Sequence, residues 1–478
     1  MAKATAAADV VASLSKALRL LGHKVTIALP RYPAIEALGV MVARRLTPLV
    51  LTVGGERVEV TVFDGRLGSG VELVLFDVPG LFDKPGLPAD LLRGLGESGD
   101  VDLEDARRVG VFSLATVELI RQRALAGTPF ELVHAHDWPA AMVPYLLRQT
   151  EGGPRAVLTI HDLSRQGLFP REVLSLFHLG QEHFQPSKLE FYGKVSLLKA
   201  GILASDAITT VSTTYAREML TPEHGERLDG LLALASKEHE IVGIVSGIDY
   251  AVYNPMTDPA LVARYDAEDT GNKGRCKSAL LAELGLSVDP ERPLVVATGR
   301  IGVAQGSDLL ASALPKLLKT DAYVVVAGQG DPTLTAKIEA ALGKVPERAR
   351  FLGTLSEAAL HRLYAAADIV VIPGRYEPCG IVQLYAQRYG AVPVACNAGG
   401  IVDTIVDCDA ALETGTGFLF DKPTATNLVG GVQRALAAMT TPRWAALRRR
   451  VMRLDLGWDR PARRYAHVYR SALARRLS

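Results

Sequence analysis

Several stretches of this 478-residue chain combine glycines, a cation and carboxylates in patterns that can hold a phosphorylated sugar. The stretch "GRIGVAQGSDLL", residues 299–310, follows the apolar run "PLVVAT" and opens a helical pattern. A strand-to-helix turn with glycines and Arg300 suits a diphosphate, because backbone N–H groups and the helix dipole attract anions there. Such a turn often carries a second cation, yet Arg300 and Lys316 have none between them, and Gln305 stands before Gly306. In "PGRYEPCGIVQLYAQRYG", residues 373–390, Glu377 precedes Cys379, Gly380, Ile381 and Val382 at the head of a helical run. A carboxylate beside a phosphate site makes sense if it grips sugar hydroxyls while the helix start holds the diphosphate. Alone, the same residue reads equally as charge complementing a helix dipole. "CNAGGIVDTIVD", residues 396–407, adds a second glycine turn, Gly399–Gly400, that feeds a helix. Together with Arg300 these turns point to a nucleotide diphosphate.

The first half of the chain supplies a different set of polar groups. "VHAHDWPAAM", residues 133–142, runs from a strand end into a helix. Its two histidines share a strand face, but no third ligand stands at a zinc spacing. Asp137 fits a carboxylate for sugar hydroxyls or for a developing positive charge, and equally an N-cap of the following helix. "TIHDLSRQG", residues 159–167, repeats the design with His161 at a strand end. Two successive strands that both end in His and Asp indicate a polar site.

Strands and helices alternate throughout. "HKVTIALP", "FELVHAH", "RAVLTIHD" and "AITTVS" read as strands in the first half. "PLVVATGR", "AYVVVAGQG", "RARFLGT", "DIVVIP", "VPVACNAGG" and "GTGFLF" follow in the second. Short, almost wholly apolar strands separated by helical periodicity predict parallel sheets covered on both faces. The pattern restarts near residues 241–256, so two doubly wound α/β domains with a cleft between them are expected, ligands lying at the carboxyl ends of the strands. The domains are read as 1–243, 244–455 and a basic, aromatic C-terminal helix, 456–478, packing back on the body. The chain opens on the loop before a helix, so the first domain is expected to lack its opening strand.

Composition narrows the class. Lys plus Arg total 53 against 52 Asp plus Glu, a net charge of +1 that argues against nucleic-acid binding. No apolar run approaches membrane-helix length, and the start lacks the pattern of a signal peptide. Four cysteines without CxxC spacing fit reduced thiols in a cytoplasmic protein.

These motifs carry a family resemblance over essentially the full length. "HAHDW", "LEFYGKVSLLKAG", "TTVSTTYARE", "GRYEPCGIVQLYAQRYG", "AGGIVDTIVD" and "GTGFLF" stand in the order found in bacterial glycogen synthases and plant starch synthases. The chain resembles that family of retaining glycosyltransferases with two Rossmann-like domains, the GT-B fold. Tyr385, where the broader sucrose-type enzymes place a second glutamate, favours the glycogen synthase branch. The resemblance implies transfer of glucose from ADP-glucose to the non-reducing 4-hydroxyl of an α-1,4-glucan, with retention and with no metal or redox cofactor. It implies that Glu377 holds the donor glucose, that Arg300 neutralises the diphosphate, and that Asp137 and His161 face the transferring glucose. Backbone N–H groups of Cys379 and Gly380 would serve the donor, with Ile381, Val382, Gly399 and Gly400 beside it. Lys3 and Asp9 would close a loop that the family writes KTGGLGD.

The departures cluster at the same places. The family's R-x(4)-K-G lysine is Gln305, and KTGGLGD reads "KATAAAD", whose alanines resist the positive φ that glycine allows. "HNLAYQG" becomes "HDLSRQG" with Asp162 and Arg165, "NGVD" becomes "SGID" with Ser246, and Val382 replaces a threonine. Arg165 is one candidate to replace the missing charge. Reduced activity, a different glucoside made from ADP- or UDP-glucose, and a non-catalytic paralogue that binds glucan or nucleotide are the expectations that follow.

Overall fold

The computed structural model describes residues 6–36, 39–83, 103–150, 152–238 and 240–474. The chain divides into two compact units, Met1–Val245 with Trp458–Ser478, and Ser246–Gly457. The boundaries read from the sequence fall two residues short of both crossings.

In the first unit, β1 (Thr26–Pro30), β2 (Val42–Arg44), β3 (Leu49–Val53), β4 (Glu56–Arg66) and β5 (Glu72–Asp77) form one sheet in the order β1-β5-β4-β2, with β3 on β4. Only β1 and β5 are parallel, and the other pairs are antiparallel. This corrects the expectation of parallel sheets throughout. The reason lies in the turn between β3 and β4. Gly54 and Gly55 have φ 59° and 85°, and Val53 pairs with Glu56, so a two-residue loop returns the chain directly. Along β3, Leu49, Leu51 and Val53 point inward while Val50 and Thr52 face solvent, the alternation of a half-buried strand.

A second sheet of this unit is parallel, with β6 (Leu132–His136), β7 (Arg155–Ile160), β11 (Ala207–Thr210) and β12 (Ile241–Gly243) in the order β12-β11-β7-β6. The short strands β8 (Leu168–Phe169), β9 (Glu190–Phe191) and β10 (Lys194–Ser196) pair separately. The first described element is the helix Ala6–Leu20. Its Val10, Leu14 and Leu18, one helical face, are buried with Val157, Ala207 and the C-terminal helix residues Ala462 and Tyr465. Each such aliphatic side chain contributes about 1.5–3 kcal/mol by leaving water.

The second unit is one six-stranded parallel sheet of β13 (Leu294–Ile301), β14 (Tyr323–Gly330), β15 (Ala349–Leu352), β16 (Ile369–Ile372), β17 (Val392–Cys396) and β18 (Phe418–Phe420). Successive residues serve opposite faces: Val295, Ile369 and Val371 join one buried cluster, and Val296, Val370 and Ile372 the other. The order is β15-β14-β13-β16-β17-β18, so the direction of winding reverses between β13 and β16. In doubly wound sheets that reversal opens a crevice beyond the strand ends, where ligands bind. No helix among the described residues is long and apolar enough to cross a membrane.

Candidate active site

Three loops of the second unit meet at the carboxyl ends of β13, β16 and β17. Gly306, at φ 72°, closes the turn after β13, and a β-carbon there would lie 2.1 Å from the Pro373 carbonyl oxygen. The contact is therefore backbone on backbone. Arg375 fastens it: its N–H donates to Ala304 O at 2.9 Å, and its guanidinium reaches both Asp308 oxygens at 2.7 Å. That guanidinium holds the Asp308 carboxyl below its usual range, mainly through these hydrogen bonds. Arg375 was not among the expected site residues, because its partner lies 67 positions away in sequence.

Arg300 is exposed at the end of β13. Gln305 is half-buried, and its Oε1 lies 2.7 Å from where a Gly302 β-carbon would stand, so the amide folds back over its own turn.

The loop after β16 carries Glu377, whose Oε1 accepts the Gly380 N–H at 3.1 Å. In this structure the N–H that Gly380 is expected to offer to a donor is held by the adjacent carboxylate. Cys379 is buried, its Sγ donates to Ser246 Oγ at 3.7 Å, and burial pushes the thiol up to about 12. It is neutral, and Ser246, only 4% exposed, supports that loop from below. Ile381 and Val382 are half-buried against the core at the start of the helix Val382–Arg388. Within that helix the Tyr385 ring stacks on Tyr253 with centroids 3.9 Å apart.

The third loop locks onto the second. Gly400 N–H donates to Glu377 O at 2.9 Å, and β-carbons on Gly399 and Gly400 would each lie 2.2 Å from the Glu377 and Cys379 carbonyl oxygens. Gly399 also has φ 48° and ψ −129°, a region glycine alone occupies comfortably. We expect Gly399→Ala to lower the unfolding free energy by about 3 kcal/mol. Urea denaturation checks this, and an unchanged midpoint would show that the two loops separate freely.

In the first unit, Asp137 has φ 54° and its Oδ1 accepts the His161 N–H at 2.7 Å. The helix Asp137–Ala140 takes His136, without a side-chain bond, as its N-cap, so the N-cap reading of Asp137 is wrong. The Asp137 carboxylate instead ties the end of β6 to the end of β7. Burial raises its pKa to about 7, against the pull of the His161 N–H.

His161 is 7% exposed, and burial lowers its pKa to about 4, so it is neutral near pH 7. Its Nε2 lies 3.0 Å from His136 Nδ1, while its Nδ1 is buried with no hydrogen-bond partner among the described residues. Both nitrogens of His134 are used, by Tyr469 OH and Thr159 Oγ1. Among the described residues no group of three His, Cys, Asp or Glu side chains is placed to hold a metal ion. Arg165 lies 3.3 Å from Asp162 in its own loop, and its charge also favours the ionised form of Asp137. Asp9 is half-buried in the first turn of Ala6–Leu20, and Lys3 lies outside the described residues.

Comparison with known proteins completes the description. Residues 1–234 match the starch synthase catalytic domain, and residues 285–445 match glycosyl transferases group 1. The glycogen synthase of Thioalkalivibrio sulfidiphilus is 38% identical over 474 residues, 98% of this chain and 96% of that protein. That of Anaeromyxobacter sp. is also 38% identical, over 476 residues with the same coverage. The catalytic domain of starch synthase IV from Arabidopsis thaliana, solved with ADP and acarbose, superposes with a TM-score of 0.87 at 29% identity, covering 98% of this chain and 95% of that one. A sucrose-phosphate synthase from Thermosynechococcus elongatus shares the fold, with a TM-score of 0.58 at 19% identity over 96% of this chain and 92% of that one.

Proposed function

Because the chain belongs to the glycogen and starch synthase family of GT-B glycosyltransferases, we propose that it moves glucose from ADP-glucose to the non-reducing 4-hydroxyl of an α-1,4-glucan, with retention. The observation that carries this reading is the set of three interlocked loops at the winding reversal of the second unit, with Glu377 and Arg300 on two of them. A nucleotide sugar needs both: a carboxylate for hydroxyls and a cation for the diphosphate.

In the reaction the bond between the anomeric carbon and the phosphate oxygen breaks, and a bond to the acceptor 4-oxygen forms. The acceptor proton leaves with the ADP phosphate or to solvent. Negative charge grows on the diphosphate as the sugar departs, so Arg300 stabilises the transition state more than the ground state. Glu377 fixes the donor glucose through its hydroxyls. Asp137 and neutral His161 serve the transferring glucose from the first unit, His161 through hydrogen bonding. On this reading no metal or redox cofactor takes part, and Arg300 with the helix-start dipole carries the electrostatic work. A reduced thiol set and the balanced charge fit a cytoplasmic enzyme with a neutral polysaccharide partner.

One observation favours a second reading. The turn after β13 lacks its usual lysine and the Gly380 N–H is taken, which suits a protein that binds glucan or nucleotide without turnover. Measuring ADP release from ADP-glucose with a glycogen primer decides between them. Release above a Glu377→Ala blank, with radiolabelled glucose appearing in the glycogen, is the expected result. No release, with retained ADP-glucose or glycogen binding, would establish the second reading.

A further inference from the structure

We propose that His136 is a positioning residue that fixes the tautomer and ring plane of His161. The proposal extends the reading of His161 as a sugar-facing group and rests on it for its effect on turnover. A neutral imidazole carries one N–H, and its two tautomers exchange donor for acceptor at each nitrogen. His136 Nδ1 and His161 Nε2 are 3.0 Å apart, so one of the two must bear the shared hydrogen and the other must not. Whichever ring donates, the other is held in the complementary form.

The consequence falls on His161 Nδ1, a buried nitrogen with no hydrogen-bond partner among the described residues, on a residue only 7% exposed. With Nε2 committed, Nδ1 presents one character, donor or acceptor, to a hydroxyl that reaches it. His136 is itself held. Its ring lies against His134 with centroids 4.1 Å apart and planes tilted by 34°. His134 is pinned at both nitrogens, to Tyr469 OH at 2.8 Å and Thr159 Oγ1 at 2.6 Å, and Thr159 Oγ1 meets Thr209 Oγ1 at 2.5 Å. Hydrogen bonds thus tie His134 to the C-terminal helix and β11, a ring contact passes the plane of His134 to His136, and a hydrogen bond joins His136 to His161. Burial keeps all three rings neutral, as each is shifted below the usual imidazole range. Asp137 holds the backbone end of His161, and His136 holds the hydrogen bond of its ring.

Three variants of the full chain separate this role from packing. His136→Phe keeps a ring against His134 but has no nitrogen. His136→Asn keeps an amide nitrogen near the place of Nδ1, and His136→Gln moves it towards the place of Nε2. The readout is the imidazole ¹⁵N spectrum of histidine-labelled protein, with His161 assigned by a His161→Gln variant. We expect His161 to show a single tautomer in the parent and in His136→Asn, and a mixture in His136→Phe and His136→Gln. In the ADP-release assay, kcat should fall about 10- to 100-fold in the last two with little change in KM, and recover in His136→Asn. A single His161 tautomer in all variants, or an Asn variant as impaired as Phe, would overturn the proposal. If the protein transfers no glucose at all, the spectra still decide the positioning role, so the two failures remain distinct.

Discussion

Gln305→Lys raises kcat/KM for ADP-glucose by about 10²–10³-fold, the scale lost when one preorganised stabiliser of transition-state charge is removed. The turn that would carry the new cation is fixed independently of residue 305. Gly306 lies on the Pro373 carbonyl, and Arg375 clamps Ala304 and Asp308. The glutamine amide only folds back over Gly302, so lysine can leave that position without unpicking the loop. Within the second unit the neighbouring Arg375 does not supply the charge, because it is committed to Asp308. Steady-state ADP release checks the gain, and the thermal midpoint should stay put. A KM that rises more steeply with salt than the parent's would mark the lysine as a diphosphate contact. No gain in rate would show that the missing cation does not limit this protein.

Glu377→Gln acts in the opposite direction. Each charged hydrogen bond that a sugar hydroxyl donates to a carboxylate is worth about 1.5–3 kcal/mol, so losing the charge on two of them lowers kcat/KM by about 10²–10⁴-fold. Glutamine keeps the size of the side chain and an oxygen to accept the Gly380 N–H, the bond of 3.1 Å that shapes the loop. The urea midpoint should therefore match the parent. Glu377→Ala removes the acceptor as well and should lose about 1 kcal/mol of stability besides activity. A glutamine variant with parental kinetics would remove Glu377 from the donor site and leave it a loop-capping residue.

The parallel core was legible because β13, β14, β16 and β17 are nearly unbroken apolar runs, and burial on both faces leaves no other pattern for them. The antiparallel part of the first unit was legible in principle. "LTVGGERVEV" alternates around a Gly-Gly pair, the mark of a two-residue hairpin, but the surrounding α/β rhythm masked it. The glycines of the site could be read as turns, not as contacts. Gly399 needs no side chain because the Glu377 carbonyl occupies that space, and nothing local to "NAGG" encodes a partner 22 residues upstream. Asp137 left two readings open for the same reason. An aspartate at a helix start looks like a cap, whereas its partner is the His161 amide on the next strand. Arg375 was silent in the sequence because its partner Asp308 lies far from it along the chain, and His136 could be read only as one of two histidines on a strand face.

The chain leaves the first unit at Val245 and returns to it at Trp458. Tyr469 meets His134 across 335 intervening positions. Synthesis therefore delivers every strand of Ser246–Gly457 before the helix that covers Val10, Leu14 and Leu18 has been made. The strands of the second unit are thus complete before the partner of that apolar helix face exists, and loss of the helix Asp459–Ala474 would uncover Val10, Leu14 and Leu18 in the half of the protein that was made first.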